Sequence, residues 1–213
     1  EYVVRLSSLT VENIKNVKKG TIFMPSAKER TLKLGGAEVL GIYGQNGSGK
    51  TAIVDTLFFL QGIMIGKELN QNLMDYIDIN ASEAQVNAEF KIFGKDVLFE
   101  VGYCIKLVKE NGEVEIEREY LNCAINKEGN RTNKNIFMDY QCLETDGIFK
   151  PQKRLDEVIN KNQETKMDLI VAKKMAEKSN CSYIFGENSR EIFCREYNNE
   201  FKSYGIVISE LFK

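Results

Sequence analysis

Eight consecutive residues have the types and the spacing of a phosphate-binding site. They match every fixed position of the pattern G-x-x-x-x-G-K-[ST], and they are Gly44, Gln45, Asn46, Gly47, Ser48, Gly49, Lys50 and Thr51. Glycine lets the backbone curl until successive N–H groups point at one anion. Lys50 supplies a positive charge for the β- and γ-phosphates and is the predicted catalytic residue, and the Thr51 hydroxyl is suited to Mg²⁺. With Ala52 added, these residues form the predicted nucleotide site.

The elements around this motif are those that a phosphate-binding loop needs. Residues 39–43 are a short apolar run that predicts a strand ending at the first loop glycine. Residues 52–64 are apolar nearly all round, which predicts a buried helix. The helix adds the positive end of its dipole to the loop. The alternative is an ordinary glycine turn before a core helix. The strand, loop and helix together favour a nucleoside triphosphate site.

Composition excludes several classes of function. The 213 residues are 43% apolar and 28% charged, which suits one large domain or a domain with a subdomain. The net charge of −2 gives no overall basic field for nucleic acid. No run of eighteen apolar residues is present, and the first residues do not resemble a signal peptide. We therefore expect a cytoplasmic protein without a membrane span.

Cysteine and histidine usage narrows the chemistry further. The chain has five cysteines, none in a C-x-x-C pair, and no histidine. A zinc site is not expected from that spacing, and reduced, buried cysteines are the simpler interpretation. Without histidine, neither a Ser-His-Asp nor a Cys-His arrangement is available. We expect no metal other than Mg²⁺ bound with the nucleotide.

The N-terminal residues read as short strands that lead to the loop. Residues 4–11 alternate enough to predict a strand, and residues 21–24 predict a second one after a turn-like stretch at 16–20. Residues 25–30 predict a polar loop, and 31–34 a weak strand.

After the loop helix the apolar period changes from 3.6 to 2. Residues of about 84–125 predict an antiparallel meander, with a turn at 94–96 and a hairpin at Asn111-Gly112. In the last strand the expected apolar face carries Val114, Ile116, Arg118 and Tyr120, and the expected solvated face carries Glu115, Glu117 and Glu119. From residue 151 onward the pattern is helical, with helices expected at 153–162 and 166–178 and a third one starting near 188–191.

Taken together, residues 9–17, 21–23 and 41–51 resemble the N-terminal lobe of ABC-type ATPases of the SMC class. Within that class the chain looks most like prokaryotic AAA-family ATP-binding proteins related to overcoming-lysogenization-defect nucleases and abortive-infection proteins. The resemblance implies an α/β P-loop NTPase lobe with an antiparallel β subdomain at 1–150. It also implies a helical segment at 151–213 that begins an arm or insertion.

The resemblance implies a head that binds ATP and Mg²⁺, dimerises around two nucleotides and couples hydrolysis to DNA-related work. Lys15 and Asn16 match the place where the first strand of such heads approaches the nucleotide. Gln141 and Gln152 lie where these heads carry a glutamine that reaches Mg²⁺ and the attacking water, and Gln141 is the predicted metal contact. The alternative for each of these residues is an exposed side chain with no ligand role.

One departure from the family concerns the acidic residues. Hydrolytic heads need an apolar strand ending in Asp-Glu, and the nearest stretch, 136–140, lacks both the apolar run and the glutamate. A serine-glycine signature and a switch histidine are also missing from the sequence. We therefore expect this chain to be the N-terminal part of a longer protein, binding ATP weakly and hydrolysing it poorly. The alternatives are a complete small P-loop kinase and a scaffold that binds nucleotide without hydrolysis.

Overall fold

A large antiparallel sheet organises the chain. The computed structural model describes residues 2–28, 39–69, 71–142, 163–192 and 202–213. Within these ranges seven strands pair antiparallel in the order β2-β1-β3-β4-β5-β6, and β7 also pairs with β5. The strands are β1 (Val3–Ile14), β2 (Val17–Phe23), β3 (Glu83–Phe93), β4 (Val97–Glu110), β5 (Glu113–Lys127), β6 (Asn130–Arg131) and β7 (Asn135–Gln141).

The predicted meander is confirmed as β3, β4 and β5. Asn111 and Gly112 join β4 to β5 with φ angles of 50° and 85°, the two positive values that a type I′ hairpin turn requires. At the other turn the Gly94 N–H donates to the Val97 carbonyl at 2.8 Å, which closes β3 against β4. Local turn chemistry was therefore sufficient to predict these connections.

The predicted faces of β5 are wrong beyond residue 116. Ile116 pairs with Leu107 of β4, but Arg118 pairs with the neighbouring Lys106, so Glu117 is an extra residue in the strand. Such a bulge exchanges the two faces of the strand that follows it. Arg118 therefore leaves the apolar face, and Glu119, expected in solvent, lies on the inner face with no exposed surface.

Both oxygens of the Glu119 carboxylate accept hydrogen bonds. Its carboxylate accepts bonds of 2.8 Å from the Tyr103 hydroxyl, the Ser182 hydroxyl and the Ile184 N–H. Burial raises the pKa of this carboxyl above its ordinary value. The two donors from Ser182 and Ile184 tie the turn at 181–186 to the centre of the sheet.

The two N-terminal strands are longer than the sequence predicts. β1 continues to Ile14 and β2 begins at Val17, so the turn contains only Lys15 and Asn16. Residues 17–20 read as a turn because two lysines and a glycine lie among them, but β2 is an edge strand, where exposed lysine is usual. Pro25–Lys28, predicted as loop, forms a short 3-10 helix, and the weak strand expected at 31–34 lies outside the described residues.

The strand predicted at 39–43 is not present. Residues 39–45 have no regular secondary structure, and Val39 and Tyr43 are 84% and 93% exposed. A strand forms only where a neighbour takes up its backbone hydrogen bonds, and the described residues provide none at this position. The mixed α/β class is confirmed, but the parallel pairing typical of P-loop proteins is not part of the described structure.

Three longer helices complete the fold of the described residues. They are α1 (Lys50–Met64), α2 (Gln163–Ser179) and α3 (Lys202–Leu211), with a short helix at 187–192 and a 3-10 helix at Gln71–Asp75. The helix predicted at 166–178 is confirmed as α2, and the start expected near 188–191 falls in the short helix. The helix expected at 153–162 and the domain boundary at 150 lie outside the described residues.

The helix α1 is buried on one face only. Its buried residues are Ala52, Ile53, Thr56, Leu60 and Ile63, and the four apolar ones join the inner face of the sheet and the turn at 181–186 in one cluster. The prediction of burial all round is wrong, because Phe58 is 69% and Val54 45% exposed.

Candidate nucleotide-binding site

The glycine loop, residues 44–51, leads directly into α1. Gly47 and Gly49 have φ angles of 82° and 88°, which side chains other than glycine rarely adopt. Gly49 is the N-terminal cap of α1, and no side chain accepts a hydrogen bond from the first turn. The free N–H groups of a helix N-terminus attract anions. The helix begins at Lys50, two residues before the start predicted at residue 52, and it ends at Met64 as predicted.

Lys50 is folded back into the glycine loop. Its Nζ donates to the carbonyl oxygens of Gly44 and Gln45, both at 2.7 Å, and lies 3.4 Å from the Ser48 Oγ. A Cβ added to Gly44 would lie only 2.7 Å from the same Ser48 oxygen, so this part of the loop is closely packed. The geometry places one positive charge inside a curl of backbone whose neighbouring helix end also favours anions.

The turn between β1 and β2 lies against the glycine loop. The Asn16 side chain donates to the Gly47 carbonyl, and the Lys15 ammonium pairs with the Asp55 carboxylate of α1. Close packing reinforces these contacts, because a Cβ on Gly49 would come within 2.5 Å of the Val17 Cγ2. The structure therefore brings Lys15 and Asn16, predicted from the resemblance alone, to the predicted loop.

A second segment fixes the same turn from the other side. The Lys15 N–H donates to the Tyr76 carbonyl at 2.7 Å, and the Asp78 N–H donates to the Asn13 carbonyl at 2.9 Å. Asn13 and Lys15 have φ angles of 54° and 49°, and such left-handed residues persist only where their surroundings hold them. The turn is therefore held between residues 76–78 and the glycine loop.

Asp78 is the ionised group of this second segment. It is 6% exposed, accepts the Asn80 N–H at 2.8 Å and pairs with Lys18 at 3.0 Å. The Asn80 N–H, followed by Lys18, lowers the pKa of Asp78 below its ordinary value of 3.8. The charged form is thus favoured in the folded protein.

Replacing Asp78 by asparagine is expected to flatten the acid side of the stability profile. Because the folded pKa is depressed, the stabilisation is complete above the unfolded pKa and is lost as pH falls through the folded pKa. Urea unfolding at several pH values between about 2 and 5 measures how the free energy of unfolding depends on pH, in the wild type and in the variant. Equal slopes in the wild type and Asp78→Asn would contradict the assignment.

Thr51 and Ala52 lie in the first turn of α1. The Thr51 side chain is exposed, so its hydroxyl is accessible, whereas Ala52 is 1% exposed and packs in the core. A hydroxyl together with phosphate oxygens and water is a donor set that Mg²⁺ accepts. Gln45, Asn46 and Ser48 are exposed along the loop, as expected for residues that meet a ligand.

The structure does not bring Gln141 to the loop. Gln141 ends β7 and pairs with Arg118 of β5, and β7 is four strand positions from β1. At about 4.8 Å per strand this is roughly 19 Å along the sheet. Its role at Mg²⁺ stays a prediction, and Gln152 lies outside the described residues.

The aspartate of the stretch 136–140 has a different partner. Both Asp139 oxygens accept bonds from the Arg118 guanidinium, at 2.8 and 2.9 Å. This bidentate pair lies on the outer face of the β5–β7 edge and occupies the carboxylate. It agrees with the absence of an acidic catalytic motif at this position.

A cavity opens next to the turn and was not predicted from the sequence. It has a volume of about 520 Å³, and its lining includes Lys15 and Asp55 together with Phe59, Leu73 and Tyr76. Burial raises the pKa of Tyr76, which is 6% exposed. The available signal was the spacing of Asp55, four residues after Thr51 and therefore on the same face of the helix.

The lysines around the turn do not form an unpaired basic edge. Lys15, Lys18 and Lys19 pair with Asp55, Asp78 and Glu12 respectively. Their charge is thus locally balanced, which argues against nucleic-acid binding by charge alone at this turn. Across the described residues no helix is long and apolar enough to cross a membrane.

Comparison with known proteins finds a relative that matches part of the chain. Over 99 residues the chain is 30% identical to the DNA replication and repair protein RecF of Deinococcus radiodurans. That stretch is 46% of this chain and 24% of RecF, so the chain spans about a quarter of its curated relative. No family model matches. The similarity relates the chain to RecF, an ABC-type ATPase of the SMC-like kind, in agreement with the class that the sequence resembles.

A solved structure described as the recombination mediator protein RecF with ATP in the RecFOR pathway aligns with the whole chain and with 54% of its own length. The identity is 16% and the TM-score is 0.31, too low to carry an argument about function. Neither comparison reaches the overcoming-lysogenization-defect or abortive-infection proteins, and that part of the resemblance stays a prediction.

Proposed function

We propose that this chain is the nucleotide-binding part of an ABC-like ATPase and binds Mg·ATP at the glycine loop. The observation that carries the proposal is the Lys50 ammonium, held inside the loop by two carbonyl oxygens at the uncapped start of α1. That arrangement offers one cation and several backbone N–H groups to a phosphate chain. The similarity to RecF supports the same class of protein.

The remaining parts of the site extend the proposal. Thr51 would hold Mg²⁺, which supplies charge neutralisation for the phosphates. Lys15 and Asn16 would contact the nucleotide from the turn, and the cavity beside them would receive the base. The lining combines apolar side chains such as Phe59 and Leu73 with charged ones such as Lys67 and Glu68, and its apolar part suits a flat heterocycle.

The fold argues against the kinase alternative. A complete small kinase would alternate strands and helices after α1, to build a parallel sheet. In the described residues three antiparallel strands follow instead, β3, β4 and β5. The scaffold alternative differs from the proposed ATPase only in whether the whole protein hydrolyses ATP.

Activity of the whole protein belongs to the proposal as well. Hydrolysis would require acidic groups from a further lobe and a second subunit, as the resemblance implies, since Asp139 is paired with Arg118. A DNA-related role is part of the proposal only because of the name of the matched relative.

Lys50→Ala is expected to weaken Mg·ATP binding by about thirtyfold, because charge-assisted bonds to phosphate are lost. Calorimetric titration of the wild type and the variant with Mg·ATP measures the change. Lys95→Ala is the matched control, since it removes the same charge from the exposed turn between β3 and β4. Equal affinity for Mg·ATP in the wild type and Lys50→Ala would overturn the proposal.

A further inference from the structure

Asp55 lies outside the eight-residue motif but on the same face of α1. It follows Thr51 by four residues, and positions four apart are neighbours on a helix surface. Helical side chains lean toward the preceding turn. The Asp55 carboxylate, 34% exposed, therefore tilts toward the glycine loop, and it pairs there with the Lys15 ammonium.

The Lys15 side chain starts from a fixed backbone. Its left-handed φ of 49° is maintained by the hydrogen bond from its N–H to Tyr76, and the adjacent Asn16 is held on the Gly47 carbonyl. Only the long, flexible part of the lysine side chain remains to be ordered. The pair with Asp55 orders it, so both ends of Lys15 are fixed by contacts within the chain.

The pair lies between the two halves of the proposed site. Asp55 is five residues beyond Lys50, about 7.5 Å further along the helix axis. Both Lys15 and Asp55 also line the cavity of about 520 Å³. A ligand with phosphates in the glycine loop and its base in the cavity passes this ion pair.

We propose that Asp55 is a positioning residue that holds the Lys15 ammonium where it meets the phosphates of the bound nucleotide. The inference rests on the proposed function. Asp55 donates nothing to the ligand, and its own negative charge opposes a triphosphate. Asp55 favours nucleotide binding only through Lys15. The effect of removing the Asp55 carboxylate therefore depends on which residue occupies position 15.

The test is a double-mutant cycle measured by Mg·ATP titration. Asp55→Asn is expected to weaken binding about threefold, the size of a partly exposed ion pair. In a Lys15→Met background the same change is expected to cause no loss and up to about a twofold gain, because only repulsion is removed. Lys15→Arg keeps the positive charge, so in that background Asp55→Asn is expected to weaken binding again.

Two results would overturn the inference. An equal loss from Asp55→Asn in both backgrounds would assign the residue a purely structural role. A gain in the wild-type background would make Asp55 a competitor for Lys15. Urea unfolding of each variant accompanies the titrations, so that a change of fold is recognised.

Failure of the inference and failure of the proposed function give different patterns. If Lys50→Ala weakens binding while the cycle shows no coupling, the nucleotide site stands and the role of Asp55 is wrong. If Lys50→Ala binds Mg·ATP as the wild type does, the proposed function itself has failed, whatever the cycle shows.

Discussion

Glu119→Ala is expected to lower the free energy of unfolding by about 4 kcal/mol. The wild-type carboxylate is fully buried and accepts three hydrogen bonds, from Tyr103, Ser182 and Ile184. Removing it leaves three buried donors without an acceptor and a cavity in the sheet core. Relief from burying a charge offsets only part of this cost.

Urea unfolding followed by circular dichroism measures this difference. Glu115→Ala is the matched control, because Glu115 lies on the same strand with a partly exposed side chain. The control is expected to change stability by less than about 0.5 kcal/mol. A loss below about 1 kcal/mol in Glu119→Ala would show that the buried carboxylate does not anchor the turn at 181–186.

Gly49→Ala is expected to cost about 3 kcal/mol of stability and to abolish measurable Mg·ATP binding. The φ of 88° is strained for alanine, and the new Cβ would lie 2.5 Å from the Val17 Cγ2. Relief requires the β1–β2 turn to move from the glycine loop, which also removes Asn16 from Gly47. Thermal or urea unfolding and titration with Mg·ATP measure both losses.

Two comparisons separate the steric clash from the backbone strain. Gly47 has a similar φ of 82°, but nothing lies within 4 Å of an added Cβ, so Gly47→Ala carries strain alone, about 1 to 2 kcal/mol. Val17→Ala removes the clashing methyl. In that background Gly49→Ala is expected to cost about as little stability as Gly47→Ala does in the wild type. If Val17→Ala gives no rescue, the contact between turn and loop is not what limits position 49.

Sequence patterns correctly predicted the features whose conformation depends on residues adjacent in the sequence. The glycine loop and the Asn111-Gly112 hairpin belong to this group, since their conformations are determined by a few side chains in sequence. The placement of Lys15 and Asn16 beside the loop came from the resemblance alone, because no rule of spacing connects residue 16 to residue 47.

Two of the failures have a common physical origin in the pairing between distant strands. Glu119 was assigned to solvent because a single extra residue, Glu117, exchanges the faces of β5, and alternation cannot reveal a bulge. Residues 39–43 have strand composition, but a strand also needs a partner for its backbone groups. Asp55 was missed because the motif ends at Thr51, although the helical spacing places both on one face.

The position of Lys50 has a consequence for how an anion enters the loop. Its Nζ bonds to the carbonyls of Gly44 and Gln45, so the loop carries its own cation, which balances the partial charges of those two oxygens. A phosphate that binds Lys50 competes with these two carbonyl oxygens for the same N–H donors. The affinity for a phosphate is therefore expected to be the difference between two hydrogen-bonded arrangements of Lys50.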